Sequence, residues 1–318
     1  MRRSCFYLFL ITGFLFSRGP REYTPIEAPP PGLVLPLEED SVRFAVIGDA
    51  GTGDQEQYEV ARRMQEYHAL YPYEFVILLG DNMYGGEDPD DYRRKFEDPY
   101  QGLLDQNVKF YASLGNHDEP AQRFYELFNM GGERYYTFKY NSVRFFALDS
   151  DYFDPEQLSW LEEELEKSGS DWKICFFHHP IYSSGATHGP DEALRQALEP
   201  LFMQYGVNVV FAGHEHFYER IKPQNGIYYF ISGAGGKLRR GDIRTSPLTA
   251  SGFDQDNSFM LVEIVDDSLY FQVISRAGQT VDSGVLGRQD IQESRMDVGT
   301  ASGEWRASAN GTPHVNPR

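Results

Sequence analysis

Two histidines at a spacing of two, His214 and His216, follow an apolar run that ends at Ala212. This run is typical of a short buried strand, and Gly213 releases the backbone after it. Side chains two residues apart on extended backbone point to the same side, so both imidazoles could face one metal ion. A His-x-His pair alone is equally compatible with two ordinary histidines, and it becomes informative only if other strands supply further ligands.

Four other predicted strands also end in a side chain that could bind a metal ion. These side chains are Asp49, Asp81, Asn116 and His178. In open α/β sheets the ligand site lies outside the carboxyl ends of the strands. We therefore expect the five strand ends to deliver their oxygen and nitrogen donors to one place. Glycines precede four of these ligand positions, where the backbone must turn sharply: Gly48, Gly80, Gly115 and Gly213.

This donor set predicts a site for two metal ions. Two carboxylates, several imidazoles and an amide exceed the needs of one tetrahedral ion. Two ions about 3.5–4 Å apart clamp the attacking and leaving oxygens of a phosphoryl transfer. A metal-held hydroxide would then be the nucleophile, because no side chain in the sequence has the setting of a covalent one. Ser183 and Ser184 lie near His179, but serines are common in loops.

The elements that must position these residues alternate between strands and helices. The alternation indicates an α/β fold. Asn141-Ser142 separates two runs that predict a hairpin, and Asp154-Pro155 predicts the start of a helix. The predicted strands lie at 43–48, 75–79, 108–114, 135–140, 143–148, 172–177 and 207–212, with helices at 55–70, 155–167 and 191–204. The later strands, expected to form a second sheet stacked on the first, lie at 227–232, 258–265, 269–274 and 280–286.

The composition and net charge of the chain limit the kinds of molecule that it is expected to bind. The 318 residues are 41% hydrophobic and 15% aromatic, which is typical of a globular protein. The net charge of −19 argues against nucleic acid or an anionic membrane as partner. An anionic substrate would need a local cationic centre, which bound metal would supply. The two cysteines, Cys5 and Cys175, form no disulfide framework, and Cys175 is expected to be a buried small hydrophobe.

The ends of the chain differ from its middle. Arg2-Arg3 and the apolar run 5–16 predict a signal peptide at 1–18, hence a secreted or periplasmic protein without stable membrane insertion after cleavage. An uncleaved anchor or a misassigned start codon are the alternatives. Residues 19–40 are rich in proline and predict an extended linker outside the fold. Residues 41–288 would be the catalytic domain, and 289–318 a disordered tail.

Five sequence blocks together resemble a known superfamily. They are Asp-x-Gly at 49–51, Gly-Asp-x-x-Tyr at 80–84, Gly-Asn-His-Asp at 115–118, His-x-Pro at 178–180 and Gly-His-x-His at 213–216. In this order, over 43–235, they resemble the calcineurin-like metallophosphoesterases. Tyr84, three residues after Asp81, resembles the purple acid phosphatase branch of the tartrate-resistant type, where a tyrosinate binds ferric iron. The resemblance implies a four-layer α/β/β/α sandwich of two mixed β-sheets flanked by helices.

The resemblance also implies roles for individual residues. It implies a site for Fe(III) and a neighbouring site for a divalent ion (iron, zinc or manganese), with Asp81 bridging the two ions. His117 would stabilise the transferring phosphoryl group or protonate the leaving oxygen. His188 approximates a second such histidine, although the loop before it is one residue longer than in the animal-type enzymes. The implied ferric ligands are Asp49, Asp81, Tyr84 and His216, and the implied divalent-site ligands are Asp81, Asn116, His178 and His214.

The implied activity is hydrolysis of phosphate monoesters, with small phosphodiesters as the alternative substrate. A non-catalytic module that retains the fold would show a damaged ligand set, and this set is complete. A site of the metallo-β-lactamase type is disfavoured because no further Asp-His pair follows His216. Three cations after the His-x-His pair could line the substrate mouth or form a solvated basic turn: Lys237, Arg239 and Arg240. The natural substrate and the oligomeric state stay open.

Overall fold

Two β-sheets packed face to face form the centre of the protein. The computed structural model describes residues 32–288. One sheet has six strands and the other has seven. Helices cover the outer face of each sheet, so the expected four-layer α/β/β/α sandwich of two mixed sheets is confirmed.

The six-stranded sheet joins the first three strands of the chain to the last three. Its order is β13-β12-β11-β1-β2-β3. Strands β1, β2 and β3 are parallel, while β11 lies antiparallel against β1. The bounds are β1 Val42–Ile47, β2 Phe75–Leu79, β3 Lys109–Ser113, β11 Ser258–Val265, β12 Ser268–Ser275 and β13 Thr280–Gly287.

The seven-stranded sheet contains the middle of the chain. Its order is β10-β8-β9-β7-β6-β5-β4, with the run β5-β6-β7-β9 parallel and both edges antiparallel. The hairpin around Asn141-Ser142 is confirmed as β4 and β5. The bounds are β4 Tyr136–Tyr140, β5 Val143–Ala147, β6 Trp172–Phe177, β7 Val209–Ala212, β8 Tyr218–Gln224, β9 Ile227–Ser232 and β10 Thr249–Phe253.

Alternating side chains place each strand between two cores. In β1, Phe44 and Val46 pack between the sheets, while Ala45 and Ile47 face the outer helices. In β6, Cys175 faces outward toward the helices of the other side and is buried, as expected. The helices are α1 Gln55–His68, α2 Pro89–Tyr92, α3 Asp98–Leu104, α4 Pro155–Lys167 and α5 Glu192–Tyr205, with a π-helical segment Arg93–Glu97 between α2 and α3.

The pairing of the late strands differs from the sequence prediction. The four strands expected to make a separate second sheet are divided between the two sheets. β9 joins the middle strands, whereas β11, β12 and β13 extend the first sheet from the edge of β1. Alternation of apolar residues identifies a strand but does not identify its partner, and the pairing of β11 with β1 joins residues more than two hundred positions apart. The strands β8 and β10 and the helical stretch 89–104 were not predicted.

The C-terminal part of the proline-rich segment packs on the domain. Leu33 and Leu35 are buried in the core beneath α1, although residues 19–40 were expected to lie outside the fold. The carboxylate of Glu263, itself fully buried, accepts hydrogen bonds from the backbone N–H groups of Leu37 and Glu38. These contacts correct the prediction for residues 33–40.

The predicted signal peptide at 1–18 and the predicted tail at 289–318 lie outside the described residues. Within 32–288, no helix is both long enough and apolar enough to cross a membrane.

Candidate metal centre

The five predicted strand ends meet at one end of the sandwich, but they come from both sheets. The residues after β1, β2 and β3 approach those after β6 and β7 from the opposite sheet. The backbone N–H of Gly48 donates to the carbonyl of Ser232, and the N–H of Asp49 donates to Gly80. The N–H of Gly213 donates to the carbonyl of His178. The site is therefore formed at the seam between two sheets, where the sequence argument had placed it at one sheet edge.

The backbone at this seam is tightly turned. Asp49, Asp81 and His214 have positive φ angles of 55°, 52° and 68°. Non-glycine residues in the left-handed region are uncommon and cluster at functional sites. Gly80 has φ +84°, and a Cβ there would lie 2.7 Å from Nδ1 of His178. A Cβ on Gly213 would lie 2.7 Å from Oδ2 of Asp49. These two glycines allow the ligand-bearing turns to pack directly against each other.

One group of donors contains Asp49, Asp81 and His216. One potential ligand atom from each lies within 4.8 Å of the others. The Tyr84 hydroxyl lies 3.2 Å from Oδ1 of Asp49 and 3.3 Å from Nε2 of His216. The backbone N–H of His214 donates to the other oxygen of Asp49 at 2.8 Å, which orients that carboxylate. The structure thus brings together the four residues expected at the ferric site.

A second group lies beside the first and contains His178 and His214. Nε2 of His178 lies 3.1 Å from Nδ1 of His214 and 3.1 Å from Oδ1 of Asn116. The same nitrogen lies 3.4 Å from Oδ1 of Asp81, so Asp81 stands between the two groups, where a bridging carboxylate belongs. Nδ1 of His178 contacts the carbonyl of Leu79 at 2.8 Å, which fixes the ring and leaves Nε2 facing the group.

His179, which follows the candidate ligand His178, also approaches the second group. A ring nitrogen of His179 lies within 4.8 Å of the facing nitrogens of His178 and His214. Its Nδ1 is 3.0 Å from the hydroxyl of Ser150, which itself accepts a hydrogen bond from the His179 backbone N–H. His179 therefore has a polar partner outside the group, consistent with a supporting position beside it.

Burial sets the protonation of these donors. Loss of hydration raises the pKa of the Asp49 carboxyl well above its usual range, and the neighbouring Asp81 raises it further. Burial lowers the pKa of His214 to about 2 and that of His216 to about 4, and it holds the pKa of His178 well below its usual range. The imidazoles are therefore neutral at physiological pH, with lone pairs free to bind a cation.

The charge balance of the site also favours a bound cation. Among residues 32–288, no lysine or arginine nitrogen lies within 4.0 Å of the carboxylate oxygens of Asp49 or Asp81. Burial and these two carboxylates raise the pKa of the Tyr84 hydroxyl far above its ordinary value. Buried carboxylates are normally paired or bound to metal. The donors present thus fit metal ions, and a strongly Lewis-acidic ion would be needed to hold Tyr84 as a phenolate.

His117 and His188 lie at the solvent side of the two groups. Both residues are exposed. The backbone N–H of His117 donates to Oδ1 of Asp81 at 3.0 Å, and its ring centroid is 4.9 Å from that of Tyr84. The ring centroid of His188 lies 4.2 Å from that of His214. The extra residue in the preceding loop therefore does not remove His188 from the site.

Glu215 is a residue of the site that sequence reasoning missed. Its side chain is fully buried, and Oε1 accepts hydrogen bonds from the N–H of Gly189 at 2.7 Å and from the hydroxyl of Ser183 at 3.1 Å. Glu219 likewise accepts from both the N–H and the hydroxyl of Ser184. The two glutamates hold the loop that carries His188, and the hydroxyls of Ser183 and Ser184 both donate hydrogen bonds to them. The sequence held no local signal for this role, because residues 214–217 form a bend with His214 at a positive φ angle, where the His-x-His pair was expected on extended backbone.

Asp118 ties the loops of the first sheet together. Its carboxylate accepts hydrogen bonds from the backbone N–H groups of Asn82, Met83 and Gly115. Burial raises the pKa of Asp118 to about 8, and the nearby Asp81 adds to the shift. The hydrogen bonds fix the position of Tyr84 relative to Asn116, because Asn82 and Met83 precede the tyrosine and Gly115 precedes the asparagine.

The basic segment that follows β9 borders the first group. The backbone N–H of Arg239 donates to the carbonyl of His216 at 2.9 Å. Nζ of Lys237 lies 4.7 Å from the centre of the Tyr84 ring. Arg240 lies farther out and is exposed. The sequence allowed either a lining of the substrate mouth or a solvated basic turn. The contacts of Lys237 and Arg239 favour a position beside the mouth of the site.

Comparison with known proteins connects this geometry to a family. The family model for calcineurin-like phosphoesterases matches residues 42–218. The chain is 30% identical over 314 residues to tartrate-resistant acid phosphatase type 5 of Homo sapiens, covering 81% of this chain and 95% of that protein. The structure is similar to GAP50, the anchor in the inner membrane complex of Plasmodium, with a TM-score of 0.68 and 18% identity, covering 88% of this chain and 100% of that chain.

A second solved structure with the same fold is purple acid phosphatase PPD1 from seeds of yellow lupin (Lupinus luteus). The TM-score is 0.61 and the identity is 20%, over 89% of this chain and 58% of that chain. At these identities the two structural matches establish the fold alone. The sequence matches supply the relation to a family.

Proposed function

The chain belongs to the calcineurin-like phosphoesterase family, and we propose that it is a dinuclear metal-dependent phosphatase that hydrolyses phosphate monoesters. The observation that carries this proposal is the pair of adjoining donor groups that share Asp81. Together the two groups offer more donors than one tetrahedral metal ion binds. The human relative carries a phosphatase name, which supports the same reaction class.

The proposed ligand sets follow the two groups. Asp49, Asp81, Tyr84 and His216 would hold Fe(III). Asp81, Asn116, His178 and His214 would hold a divalent iron, zinc or manganese ion. When bound, the two ions would supply Lewis acidity toward the phosphoryl oxygens and would lower the pKa of the attacking water molecule.

The remaining residues of the site would act on the substrate directly. His117 would donate a proton to the leaving oxygen. Its exposure to solvent and the hydrogen bond from its backbone N–H to Asp81 support this role. His188 would contact the phosphoryl group from the other side, on the loop held by Glu215. General acids of this kind typically contribute about 10²–10⁴-fold to the rate. Both histidines keep their ring nitrogens available, since no hydrogen bond to either ring is found among the described residues.

The experiment that tests this function combines metal analysis with activity. We expect purified protein to contain about two transition-metal ions per chain. A chelator should abolish hydrolysis of phenyl phosphate, and restoring the metals should recover it. Full activity with one ion per chain or fewer would overturn the dinuclear assignment.

A matched pair of substrates distinguishes a phosphomonoesterase from the alternative, an enzyme that acts on small phosphodiesters. Phenyl phosphate and methyl phenyl phosphate share a leaving group and differ in ester number and charge. A monoesterase should show the larger kcat/KM for phenyl phosphate. A larger value for the diester would assign the protein to phosphodiesterases of the same family.

Export of the protein is also proposed, from the predicted signal peptide at 1–18. Cell fractionation followed by N-terminal sequencing would locate the mature protein and its first residue. A protein that retains Met1 and stays with the cytosol would contradict export.

A further inference from the structure

A concentration of positive charge lies beside the candidate metal centre. The segment 237–244 contains four basic residues and one acidic residue, in a chain that carries a net charge of −19. The basic residues are Lys237, Arg239, Arg240 and Arg244. This local excess of cations would attract an anion that the rest of the surface repels.

The fold holds this segment against the ligand-bearing strands. The backbone N–H groups of Gly236 and Lys237 both donate to the carbonyl of Asp49, at 3.1 and 3.0 Å. The side-chain amide of Asn257 donates to the carbonyls of Gly236 and Lys237. Together with the bond from Arg239 to His216, these contacts fix the position of the segment relative to both candidate metal ligands.

Three of the four cations, Lys237, Arg240 and Arg244, have no carboxylate partner among the described residues. Arg244 donates to the carbonyl of Ala186 instead. No aspartate or glutamate oxygen of 32–288 lies within 4.0 Å of the charged nitrogens of Lys237 or Arg240. Nζ of Lys237 lies over the ring of Tyr84, and Nε of Arg240 donates to the carbonyl of Gln255. Arg239, by contrast, lies 3.7 Å from the carboxylate of Asp242. Lys237 and Arg240 therefore retain charge that a ligand could neutralise.

Lys237 and Arg240 line the same cleft, which has a volume of about 470 Å³. Arg276 also lines it but is paired with Glu59 at 2.6 Å and Asp256 at 2.9 Å. One acidic residue, Glu56, faces the cleft as well. Since Lys237 reaches the ring of Tyr84, one wall of the cleft is continuous with the candidate metal centre.

The cleft on the other side of the site has the opposite character. It lies beside His188 and His214, and its wall includes Asp191 and Glu192. The carboxylate of Asp191 caps helix α5 by accepting a hydrogen bond from the N–H of Leu194, and that of Glu192 is paired with Arg195. A second anionic group of the substrate would thus be attracted to the side of Lys237, where Lys237 and Arg240 lack a carboxylate partner among the described residues.

We propose that Lys237 and Arg240 form a subsite for a second anionic group of the substrate, a carboxylate or a phosphate on the part of the molecule that is not being transferred. The inference rests on the proposed phosphatase function and names the substrate class of that site. The preferred substrates are small phosphoesters with two anionic groups. Lys237 is the cation nearer the metal centre, beside Tyr84, and Arg240 lies farther out along the cleft.

The test compares two substrates of closely matched leaving-group acidity, phenyl phosphate and 3-carboxyphenyl phosphate. We expect the wild-type protein, loaded with metal, to show a larger kcat/KM for the carboxylated substrate, by about threefold or more. Lys237→Gln and Arg240→Gln should each reduce this ratio toward one. Glu56→Gln, which removes the negative charge of the cleft, should increase the ratio.

Lys222→Gln is the matched control. Lys222 is an exposed lysine near the far end of β8, where it donates to the carbonyl of Pro247, so this variant makes the same change in net charge outside the cleft. The ratio should stay at its wild-type value. A ratio that falls equally in Lys222→Gln and Lys237→Gln would overturn the subsite, because it would reflect the total charge of the protein.

A binding measurement separates failure of the subsite from failure of the proposed function. Titration calorimetry with phenylphosphonate and 3-carboxyphenylphosphonate, which are not hydrolysed, should show tighter binding of the carboxylated compound and loss of that preference in Lys237→Gln. Binding preference without turnover would retain the subsite and overturn the phosphatase. Turnover of both substrates at equal kcat/KM, unchanged by all three cleft variants, would retain the phosphatase and overturn the subsite.

Discussion

Tyr84 is the residue on which the identity of the metal pair depends. An ordinary tyrosine has a pKa of about 10, and burial beside Asp49 and Asp81 raises that of Tyr84 much further. Only a strongly Lewis-acidic ion would therefore bind it as a phenolate. The hydroxyl already lies 3.2 Å from Asp49 and 3.3 Å from His216, within reach of an ion held by both.

We predict that iron-loaded protein is pink to violet, because charge transfer from phenolate to ferric iron absorbs visible light. Tyr84→Phe should abolish this band while the remaining ligands retain part of the iron, as measured by visible spectroscopy and elemental analysis. Tyr92→Phe is the control, since the Tyr92 hydroxyl contacts Glu87 away from the donor groups. Colourless wild-type protein that contains ferric iron would show that Tyr84 is not a ligand.

His117 should act on the leaving group. Its position beside the donor groups and its exposed ring suit a proton donor, whereas a ligand would turn inward. We predict that His117→Ala lowers kcat by about 10²–10⁴-fold for alkyl phosphates, with metal content nearly unchanged. The loss should be smaller for 4-nitrophenyl phosphate, whose leaving group needs little protonation. Equal losses for both substrates would indicate electrostatic stabilisation instead of proton transfer.

The segment before β1, residues 33–40, packs on the domain, although the proline-rich composition of residues 19–40 predicted a linker outside the fold. Its prolines favour extended backbone, yet alternate residues of this backbone pack into the domain. Leu35 is 4% exposed, whereas its near neighbour Val34 is 55% exposed. Buried polar groups reinforce the contact, because the side chain of Gln272 accepts a hydrogen bond from the N–H of Val34 at 3.0 Å. The segment thus closes the core beneath α1.

We predict that Leu35→Ala lowers the free energy of unfolding by about 2–4 kcal/mol, because it removes a buried side chain and leaves a cavity. Val34→Ala is the matched control and should change stability by less than about 0.5 kcal/mol. Urea denaturation of metal-loaded protein would measure both values. Similar losses for the two variants would show that the packing of this segment contributes little to stability.

The turns at the seam between the sheets are the elements that create the site. Parallel strands bring their carboxyl ends to one edge, but the two donor groups combine turns from both sheets. Glu215 and Glu219 then hold the His188 loop from below, and Asp118 holds the turns after β2 and β3. These three buried carboxylates determine the relative position of the outer histidines and the ligands.

At the scale of the whole molecule, charge is distributed unevenly. The chain has 48 acidic and 29 basic residues, yet four of the basic residues fall within the eight positions from 237 to 244. A strongly acidic surface favours solubility and repels anionic polymers. A small phosphoester can still bind, because bound metal and the basic segment provide cationic groups at one end of the sandwich. The overall charge therefore selects against large anionic partners without excluding small anionic substrates.

The sequence by itself determined the fold class and the members of both donor groups. Five of these residues follow an apolar run directly or after a glycine, and His216 lies two residues after His214, so local pattern was sufficient for these six. Tyr84 was implied only by the resemblance to the purple acid phosphatases. Only the tertiary structure decided that β11, β12 and β13 belong to the first sheet. β11 pairs with β1 across more than two hundred residues, and such a pairing depends on which edge of the sheet is free to accept another strand. The same holds for the seam between the sheets, for Glu215 beneath the His188 loop and for Lys237 against the Tyr84 ring. These contacts join segments far apart in the chain, and no local periodicity encodes which distant segment a side chain will meet.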